Sequence, residues 1–538
     1  MNIVIAEPLS PAGIELLQSQ KDWNVIVSNA KEYERHLTDA DALLVRSAVQ
    51  VNAGVLAKAP KLRVIGRAGV GVDNVDLDAA TAAGVLVMNT PGGNAASVAE
   101  HAVALMLAMA RHVPQANAAT KSGKWEKKKF LGNELRGKTL GIVGLGSTGR
   151  EVIKRARAFE MRLIGHDPYV TSQLAKDIGV ELVSLEGLYA DSDYITLHVS
   201  LTPETERMLS RQAFAQMKTG VRVVNCARGE LMDEEALRQA LESGKVASAA
   251  LDVFAPEPPA AGSPLFKFDS VIATPHIGGS TEEAQEIVGI RIAEQGVEYL
   301  KNGVAINAVN MPALSPEQYR TIGPYITVAE QLGNFAAHIS TGNPKAVRLA
   351  YLGRIADYNT QLLRNAGLAG VLKRSLGQKA NLVNAMQIAS QRGWHVVERH
   401  ETRTGHTDSV RIELETDAGI TVVEGAVLLD RPRLLQVDGI YCEATLDGHL
   451  VFMKNEDVPG VIGHVGTVLG RNQINIANFS LGRRDAPARP GEPLEAVALV
   501  STDAAVPEKV LAQLRENPAV KMAKSVELAE HGTQRNTA

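Results

Sequence analysis

The clearest indication of the fold is in residues 139–167 of a 538-residue chain, TLGIVGLGSTGREVIKRARAFEMRLIGHD. Its apolar start, Leu140–Val143, predicts a buried strand, and the segment Arg162–His166 predicts a second strand that ends just before Asp167. A helical pattern runs between the two strands, from about Arg150 to Phe159. Glycines at GxGxxG spacing separate the first strand from this helix: Gly144, Gly146 and Gly149. Strand, glycine turn, helix and strand in this order are the context of a dinucleotide-binding site.

Each glycine of this turn has a separate task in binding a dinucleotide. The first permits a tight turn, the second lets the backbone approach a pyrophosphate at the helix N-terminus, and the third lets helix and strand pack closely. Asp167 follows about 20 residues on, where a carboxylate accepts hydrogen bonds from ribose hydroxyls. Because that carboxylate would repel a 2′-phosphate, the pattern predicts NAD rather than NADP as the cofactor. The alternative is a turn without a ligand, since the chain holds 47 glycines and such spacing also arises by chance.

Composition argues against several classes of protein. A net charge of −4 gives no support for binding to nucleic acid or to an anionic membrane. Cys226 and Cys442 are too few for a disulfide framework, so we expect a reducing, cytoplasmic location. The N-terminus lacks the pattern of a signal peptide, and the longest apolar run, Ala102–Ala110, is too short to cross a bilayer. No metal-ligand spacing stands out.

Short apolar runs alternate with helical patterns before residue 96, which predicts a parallel α/β domain. Its predicted strands are Ile3–Ala6, Val25–Val27, Ala42–Val45, Arg63–Arg67 and Val85–Met88. Because this region precedes the dinucleotide fingerprint, we interpret it as a substrate domain. Strands recur after the fingerprint at Tyr194–Val199, Val221–Ala227, Ala247–Val253 and Val271–Thr274. They predict a doubly wound Rossmann domain over residues 97–282, inserted in the substrate domain.

Two helix starts and one histidine complete the prediction for this half of the chain. Ser97 with Glu100, and Ser280 with Glu283, fit capping boxes at the starts of two long helices. The second of these helices is expected to return the chain to the substrate domain. His101 in the first helix is interpreted as a packing or capping histidine rather than a catalyst.

The substrate domain carries a candidate anion site at strand ends. Arg46 and Ser47 follow one predicted strand, and Arg67 ends the next. Gly69, Val70 and Gly71 form a turn whose N–H groups suit an anion, and arginine supplies forked donors for a carboxylate or phosphate. The alternative is that both arginines are solvated or pair with local acids.

Three candidate catalytic side chains follow successive strands of the nucleotide domain: Arg228, Glu257 and His276. Such strand ends meet at one crevice of a doubly wound sheet. Oxidation of an alcohol by hydride transfer needs a base for the hydroxyl proton, and histidine suits that task near neutral pH. A carboxylate beside it fixes the tautomer, and an arginine holds a substrate carboxylate. The alternative for each residue alone is a structural role.

The motifs GIVGLGSTG, VNCARGE, ALDVFAPEPP and TPHIGGST resemble those of the NAD-dependent D-isomer-specific 2-hydroxyacid dehydrogenases. The resemblance implies that Arg228, Glu257 and His276 are the catalytic set. It implies cofactor contacts at Gly144, Gly146, Ser147, Thr148, Gly149, Asp167, Val199, Cys226, Ala227, Arg228, Asp252, His276, Gly278 and Gly279. It implies substrate contacts at Arg46, Ser47, Arg67, Gly69, Val70, Gly71 and Asn94. Ser147-Thr148 and Val70 depart from the commoner family residues at those positions, Arg-Ile and Thr.

Within this family, VRSA, GRAGVGVDNVD and the basic KWEKKKF segment resemble members that oxidise D-3-phosphoglycerate in the first step of L-serine synthesis. The basic segment is expected to be a surface loop or an arm that reaches an anionic substrate or a neighbouring subunit. Alternatives are another hydroxyacid substrate, such as glyoxylate or hydroxypyruvate, and an NAD(H)-sensing binding protein without turnover.

The C-terminal third changes character. Residues 313–448 mix helices and strands, and long members of the family have an intervening domain there, proposed to bind substrate or anions allosterically. Residues 449–530 contain a βαββαβ pattern, the ferredoxin-like split arrangement. The string FMKNEDVPGVIGHVGTVLGRNQINIANFSLGR resembles the regulatory ACT domain. That resemblance implies an L-serine effector at Asn455, Asp457 and Asn475, and a homo-oligomer, expected to be a tetramer. These polar residues equally suit turns before a helix. The predicted domains are therefore 1–96 with 283–312, 97–282, 313–448 and 449–530.

Overall fold

The computed structural model describes residues 1–402, 407–487 and 493–529. The backbone divides into two compact units. One contains residues 1–9, 13–89 and the described chain from 291 onward, and the other contains residues 10–12 and 90–290. The predicted end of the C-terminal module, at residue 530, lies outside the described residues.

The first sheet is parallel throughout and has the strand order β2-β1-β3-β4-β5, which is flavodoxin-like. Its strands are β1 Asn2–Ile5, β2 Asn24–Val27, β3 Ala42–Val45, β4 Val64–Arg67 and β5 Leu86–Met88. The helices around it are α1 Pro11–Gln18, α2 Ala53–Ala57 and α3 Leu77–Ala82. Every residue of β3 and β5 is buried, as expected for a parallel sheet covered on both faces. The five predicted strands are confirmed, with ends displaced by at most one residue.

The second sheet has the parallel order β12-β11-β10-β9-β6-β7-β8. Its strands are β6 Thr139–Val143, β7 Arg162–His166, β8 Glu181–Leu182, β9 Tyr194–Leu197, β10 Val221–Asn225, β11 Val246–Leu251 and β12 Val271–Ala273. Its helices are α4 Ala95–Arg111, α5 Val113–Lys121, α6 Ser147–Ala158, α7 Ser172–Ile178, α8 Leu185–Asp191, α9 Arg211–Gln216 and α10 Glu234–Glu242. Helix α11, Glu282–Asn302, begins in the second unit and ends in the first. Strand β6 pairs with both β7 and β9, so the glycine turn lies at the topological switch point of a Rossmann sheet.

Both predicted capping boxes in this half are wrong. Helix α4 begins at Ala95, so Ser97 lies inside its first turn and its Oγ is 2.8 Å from Oγ1 of Thr281. Thr281, not Ser280, caps α11 by accepting from the N–H of Ala284 at 3.1 Å. The S-x-x-E spacing occurs within a helix as readily as at its start. Asn94 precedes α4 without a side-chain capping hydrogen bond, and Thr281, one residue after Ser280, supplies the capping oxygen of α11.

The third sheet has the order β14-β13-β15-β16-β17-β18 and is antiparallel except for β13 with β14. Its strands are β13 Pro344–Leu352, β14 His395–Glu401, β15 Ser409–Thr416, β16 Gly419–Leu428, β17 Arg431–Val437 and β18 Ile440–Thr445. Its helices are α12 Pro316–Ile339, α13 Gln361–Leu376 and α14 Ala385–Gln391. Helix α12 starts with a capping box formed by Ser315 and Gln318.

The C-terminal module contains β19 Gly448–Glu456, α15 Val461–Arg471, β20 Ile476–Arg483, β21 Glu495–Thr502, α16 Glu508–Leu514 and β22 Val520–Leu528. Its antiparallel order, β20-β21-β19-β22, confirms the ferredoxin-like arrangement.

Helix α12 is held by this module as well as by the third sheet. The rings of Phe335 on α12 and Phe452 on β19 meet edge to face at 5.7 Å, and both side chains are fully buried. Lys524 on β22 donates to the carbonyl oxygens of His338, Ile339 and Ser340 at 3.2, 2.9 and 2.8 Å. A cation thus satisfies the open carbonyls at the C-terminus of the helix.

Candidate active site

The glycine turn after β6 has the geometry that a dinucleotide needs. Gly144 has φ +91°, and a Cβ there would overlap the carbonyl of His198. A Cβ on Gly149 would overlap the carbonyl oxygen of Gly144, so this glycine lets α6 approach the strand. A Cβ on Gly146 would meet no heavy atom within 4 Å. The backbone at Gly146 is therefore open to a ligand at the N-terminus of α6, and the residues present fit a pyrophosphate.

Asp167 connects the end of β7 to the glycine turn. Its Oδ2 accepts from the N–H of Leu145 at 2.9 Å, and its Oδ1 accepts from the N–H of Tyr169 at 2.9 Å. A carboxylate oxygen accepts more than one hydrogen bond, so the orientation is fixed while capacity remains for ribose hydroxyls.

His276 and Glu257 form a hydrogen-bonded pair. Nδ1 of His276 lies 2.8 Å from Oε2 of Glu257, and Oε1 of Glu257 accepts from the N–H of Phe254 at 3.0 Å. A proton on Nδ1 satisfies this contact, and Nε2 is then the unprotonated, accepting nitrogen. The imidazole is about half exposed, at 49%. The pair has the donor and acceptor arrangement of a general base with its orienting carboxylate.

Arg228 comes to the same sheet edge, because β10, β11 and β12 are neighbours. A Cβ on Gly229 would overlap the carbonyl of Phe254, so the loop after β10 lies directly on the loop that carries Glu257. Buried Asn225 shapes the Arg228 loop: it donates to the carbonyl of Arg228 at 2.8 Å and accepts from the N–H of Ala227 at 3.0 Å. All three predicted catalytic residues are therefore on adjacent loops.

Asp252 lies beneath the His276 loop and is only 1% exposed. Its Oδ1 accepts from Thr274 Oγ1 at 2.6 Å and from the N–H of Ile277 at 2.9 Å, and its Oδ2 accepts from the N–H of Gly278 at 2.8 Å. Burial favours a raised pKa for this carboxyl, but hydrogen bonds from His101, Thr274, Ile277 and Gly278 outweigh it and lower the pKa. The charged carboxylate thus fixes, through these hydrogen bonds, the conformation of the loop that carries His276.

Cys226, another predicted cofactor contact, is buried in the same region. Burial first, and the charge of Asp252 second, raise the pKa of its thiol. The residue is therefore a protonated, weakly polar wall of the site at neutral pH.

His198 follows β9, just before the predicted cofactor contact Val199. A Cβ on Gly144 would also overlap the side chain of Val199, which places that residue at the glycine turn. Burial lowers the pKa of His198 to about 4, so its imidazole is neutral near pH 7. Its Nε2 is 2.9 Å from Thr196 Oγ1, and its Nδ1 has no hydrogen-bond partner among the described residues. Sequence reasoning missed this histidine, because a lone histidine after a strand carries no distinguishing signal.

The loop before α4 contributes Asn94. A Cβ on Gly279 would lie 2.7 Å from Nδ2 of Asn94, so the two predicted contacts are adjacent. A Cβ on Gly92, in the same loop, would lie 3.4 Å from Oγ of Ser147 at the start of α6. The structure thus brings Asn94 to the edge that holds the glycine turn.

The predicted anion-binding residues Arg46 and Arg67 belong to the first unit. Val45, next to Arg46, pairs with Arg67 across the parallel strands β3 and β4. The buried carboxylate of Glu7 accepts from the N–H groups of Arg46, Ala48 and Val49 at 2.8, 3.0 and 3.1 Å. The Arg46–Val49 loop, which includes Ser47, therefore has a fixed backbone.

The turn after β4 is shaped by glycine. Gly69 has φ +151°, and a Cβ there would overlap the Arg67 guanidinium. Asn89 Nδ2 donates to the carbonyl of Val70, whose side chain is exposed, at 2.5 Å. Glu7 and Asn89 were not recognised from the sequence, because their partners are distant along the chain.

The basic segment carries a short 3₁₀ helix, Lys127–Phe130. Trp125 and Leu131 beside it are 85% and 87% exposed. This surface position agrees with both readings of the segment, a loop or an arm.

The three predicted effector residues have local partners. Asn455 is buried, its Nδ2 donates to the carbonyl of Glu456 at 2.8 Å, and its Oδ1 has no partner in the described parts of the chain. Asp457 pairs with Arg483 at 3.1 Å, and Asn475 donates to Asp503 at 2.9 Å.

Three family models match the chain in the predicted order. Residues 103–278 match the NAD binding domain of the D-isomer specific 2-hydroxyacid dehydrogenases. Residues 321–438 match the D-3-phosphoglycerate dehydrogenase intervening domain, and residues 449–519 match the ACT domain. Together with the strand order and the His276–Glu257 pair, these matches define an NAD-binding D-isomer specific 2-hydroxyacid dehydrogenase.

Full-length relatives narrow the class. D-3-phosphoglycerate dehydrogenase of Methanocaldococcus jannaschii is 43% identical and covers 97% of this chain and 98% of its own length. The Bacillus subtilis enzyme of the same name is 38% identical, and the alignment covers 98% of this chain and 99% of that enzyme. The chain belongs to the D-3-phosphoglycerate dehydrogenase family.

Solved structures match a little more than half of the chain. D-lactate dehydrogenase from Aquifex aeolicus, complexed with NAD and lactic acid, is 28% identical with a TM-score of 0.51, and the match covers 58% of this chain and all of that one.

No helix in the described ranges is long and apolar enough to cross a membrane.

Proposed function

We propose that this chain oxidises D-3-phosphoglycerate to 3-phosphohydroxypyruvate with NAD, as the first step of L-serine synthesis. The observation that carries the proposal is the hydrogen-bonded His276–Glu257 pair beside the Arg228 loop, on the sheet edge that also holds the glycine turn. The two full-length relatives reported above, both named D-3-phosphoglycerate dehydrogenase, support the choice of substrate.

In the proposed mechanism His276 is the base. Its Nε2 accepts the proton of the C2 hydroxyl, while the Nδ1 proton stays on the ring, hydrogen-bonded to Glu257, whose carboxylate stabilises the imidazolium that forms. NAD, held by the glycine turn after β6 and by Asp167, would supply the hydride acceptor for C2. Arg228 binds the substrate carboxylate and polarises the developing carbonyl. The same groups run the reverse reaction, in which His276 returns the proton.

Anion binding completes the substrate assignment. We assign it to Arg46, Ser47 and Arg67 with the turn Gly69–Gly71, and on the nucleotide domain to Asn94. The fixed Arg46–Val49 loop and the strand-end positions of both arginines support this role for a carboxylate or phosphate.

The cofactor contacts and the domain boundaries predicted from the sequence remain part of the proposal. We also propose that the C-terminal module binds L-serine through Asn455, Asp457 and Asn475 and pairs with copies of itself in a homo-oligomer, expected to be a tetramer. The unsatisfied Oδ1 of Asn455 supports an effector there. The two unpaired cysteines support a cytoplasmic location.

The test is NADH formation from D-3-phosphoglycerate and NAD at alkaline pH, measured with and without L-serine. Light scattering on the same protein gives its mass and tests the expected tetramer. His276→Ala should lower kcat by about 10²- to 10⁴-fold, the usual worth of a general base. The exposed His36, replaced by alanine, is the control and should retain wild-type turnover. A His276→Ala protein that kept most of its turnover would refute the catalytic assignment.

If the wild-type protein turned over only another D-2-hydroxyacid, the substrate assignment would be refuted. Turnover indifferent to serine would refute the effector.

A further inference from the structure

His101 on α4 contacts the carboxylate that holds the catalytic loop. Its Nε2 is 3.3 Å from Oδ1 of Asp252 and 3.1 Å from Oγ1 of Thr274. The side chain is 18% exposed, and Asp252 is 1% exposed. The sequence suggested only a packing or capping residue, yet its polar edge faces the site loop, not the helix end.

The loop from Thr274 to Gly278 depends on Asp252 at four points. The side chain of Asp252 accepts from Thr274 Oγ1 and from the N–H groups of Ile277 and Gly278, and its carbonyl accepts from the N–H of His276 at 2.8 Å. His276 has φ +52°, a left-handed conformation that a non-glycine residue holds only when its surroundings impose it. Asp252 is therefore the support that keeps His276 in this conformation.

We propose that His101 is a positioning residue for His276, acting through Asp252 and Thr274; the proposal rests on the function proposed above. Removal of the His101 donor leaves a buried carboxylate short of a hydrogen bond, and such a group recruits water or changes its rotamer. Either change would release the N–H groups of Ile277 and Gly278 and let His276 leave the 2.8 Å contact with Glu257. A displacement of about 1 Å costs up to about 100-fold in rate.

A metal site is the competing reading of this cluster, since His101, Cys226 and Asp252 each place a ligand atom within 4.8 Å of the others. The contacts already made argue against it. Nε2 of His101 and both oxygens of Asp252 are hydrogen-bonded, and the buried thiol of Cys226 has a raised pKa. A metal-binding cysteine needs the thiolate.

The experiment compares His101→Phe, His101→Gln and Thr274→Val in the full-length protein. Glu100→Gln is the control, because it lies next to His101 on α4 and its exposed side chain pairs with Arg155 at 2.6 Å. The readouts are the single-turnover rate of NADH formation, the amplitude of that phase, and NADH affinity. Misplaced His276 lowers the rate, whereas partial unfolding lowers only the amplitude.

We expect His101→Phe to lower the single-turnover rate by about 10- to 100-fold with nearly wild-type amplitude and NADH affinity. His101→Gln, which keeps a donor, should recover most of that rate. Thr274→Val alone should also lower the single-turnover rate. In the double variant, His101→Phe with Thr274→Val, the fold-decrease in rate should be smaller than the product of the two single fold-decreases, since both groups bind the Asp252 carboxylate.

Wild-type rates in both His101 variants, or a fall confined to amplitude, would overturn the proposal. Loss of wild-type activity on treatment with EDTA would overturn it in favour of a metal. If the wild type turns over only another D-2-hydroxyacid, the substrate assignment fails, and the same comparison is made with that acid.

Discussion

At the scale of single residues, Glu257 decides which nitrogen of His276 carries a proton. Its Oε2 requires a donor at Nδ1, 2.8 Å away, so the ring nitrogen left for the substrate is an acceptor. An amide at position 257 could turn its NH₂ toward Nδ1, and the accepting nitrogen would then be on the wrong side of the ring.

We therefore expect Glu257→Gln to lower kcat by about 10²-fold or more without loss of stability, because the side chain is partly exposed. The matched control is Glu242→Gln, whose carboxylate pairs with Arg238 on the outer face of α10. Steady-state kinetics with unfolding midpoints for both variants make the test. Equal kcat in the two variants would remove Glu257 from the mechanism.

Residue types were enough to predict Arg228, Glu257 and His276, because each follows a recognisable strand and suits hydride transfer. They were insufficient for His101 and Asn225. The role proposed for His101 depends on α4 packing across the sheet, and the contacts of Asn225 depend on the path of its own loop.

At the scale of elements, the glycines of the nucleotide turn separate packing from binding. Gly149→Ala would force a methyl group into the carbonyl oxygen of Gly144, whereas Gly146→Ala would meet no heavy atom within 4 Å. The backbone of Gly146, at φ −70° and ψ −160°, accepts alanine without strain.

We expect Gly149→Ala to destabilise the protein by about 1–3 kcal/mol, the usual cost of overpacking. Gly146→Ala should keep the wild-type melting temperature but bind NADH at least about 10-fold more weakly, because its methyl group enters the pyrophosphate cradle. Calorimetry and NADH fluorescence titration distinguish the two. Wild-type NADH affinity in Gly146→Ala would show that the cradle is elsewhere.

Periodicity predicted the strands of both parallel sheets to within a few residues, except β8, because buried parallel strands are continuous apolar runs. Strand β8 has only two residues and is too short to show such a run. Helix starts were less predictable. Ser97 and Ser280 had the right spacing for a capping box, but Asn94 and Thr281 precede the actual first turns.

At the scale of the whole molecule, the order of modules followed from motifs, but their attachment did not. Phe335 meets Phe452, and Lys524 reaches the end of α12 from more than 180 residues away along the chain. No local pattern encodes contacts of that separation.

Lys524→Met should therefore cost about 1.5–3 kcal/mol, the worth of hydrogen bonds to a charged group. Lys521→Met on the same strand is the control, since its surface pair with Glu456 is worth at most about 1 kcal/mol. Urea unfolding of both variants measures the difference. An equal midpoint in the two would mean that Lys524 contributes no more than a surface charge.

Helix α12 has a further consequence for how the molecule melts. Backbone carbonyls at its C-terminus accept hydrogen bonds from Lys524 of the C-terminal module and from Arg374 of α13. Gly333 and Gly370 allow the backbones of α12 and α13 to come into contact. Neither the third sheet nor the C-terminal module can unfold without exposing helix α12, which packs against both. Amide protons of the two regions should accordingly exchange with solvent through one common opening, as a single cooperative foldon, although the sequence assigns them to different domains.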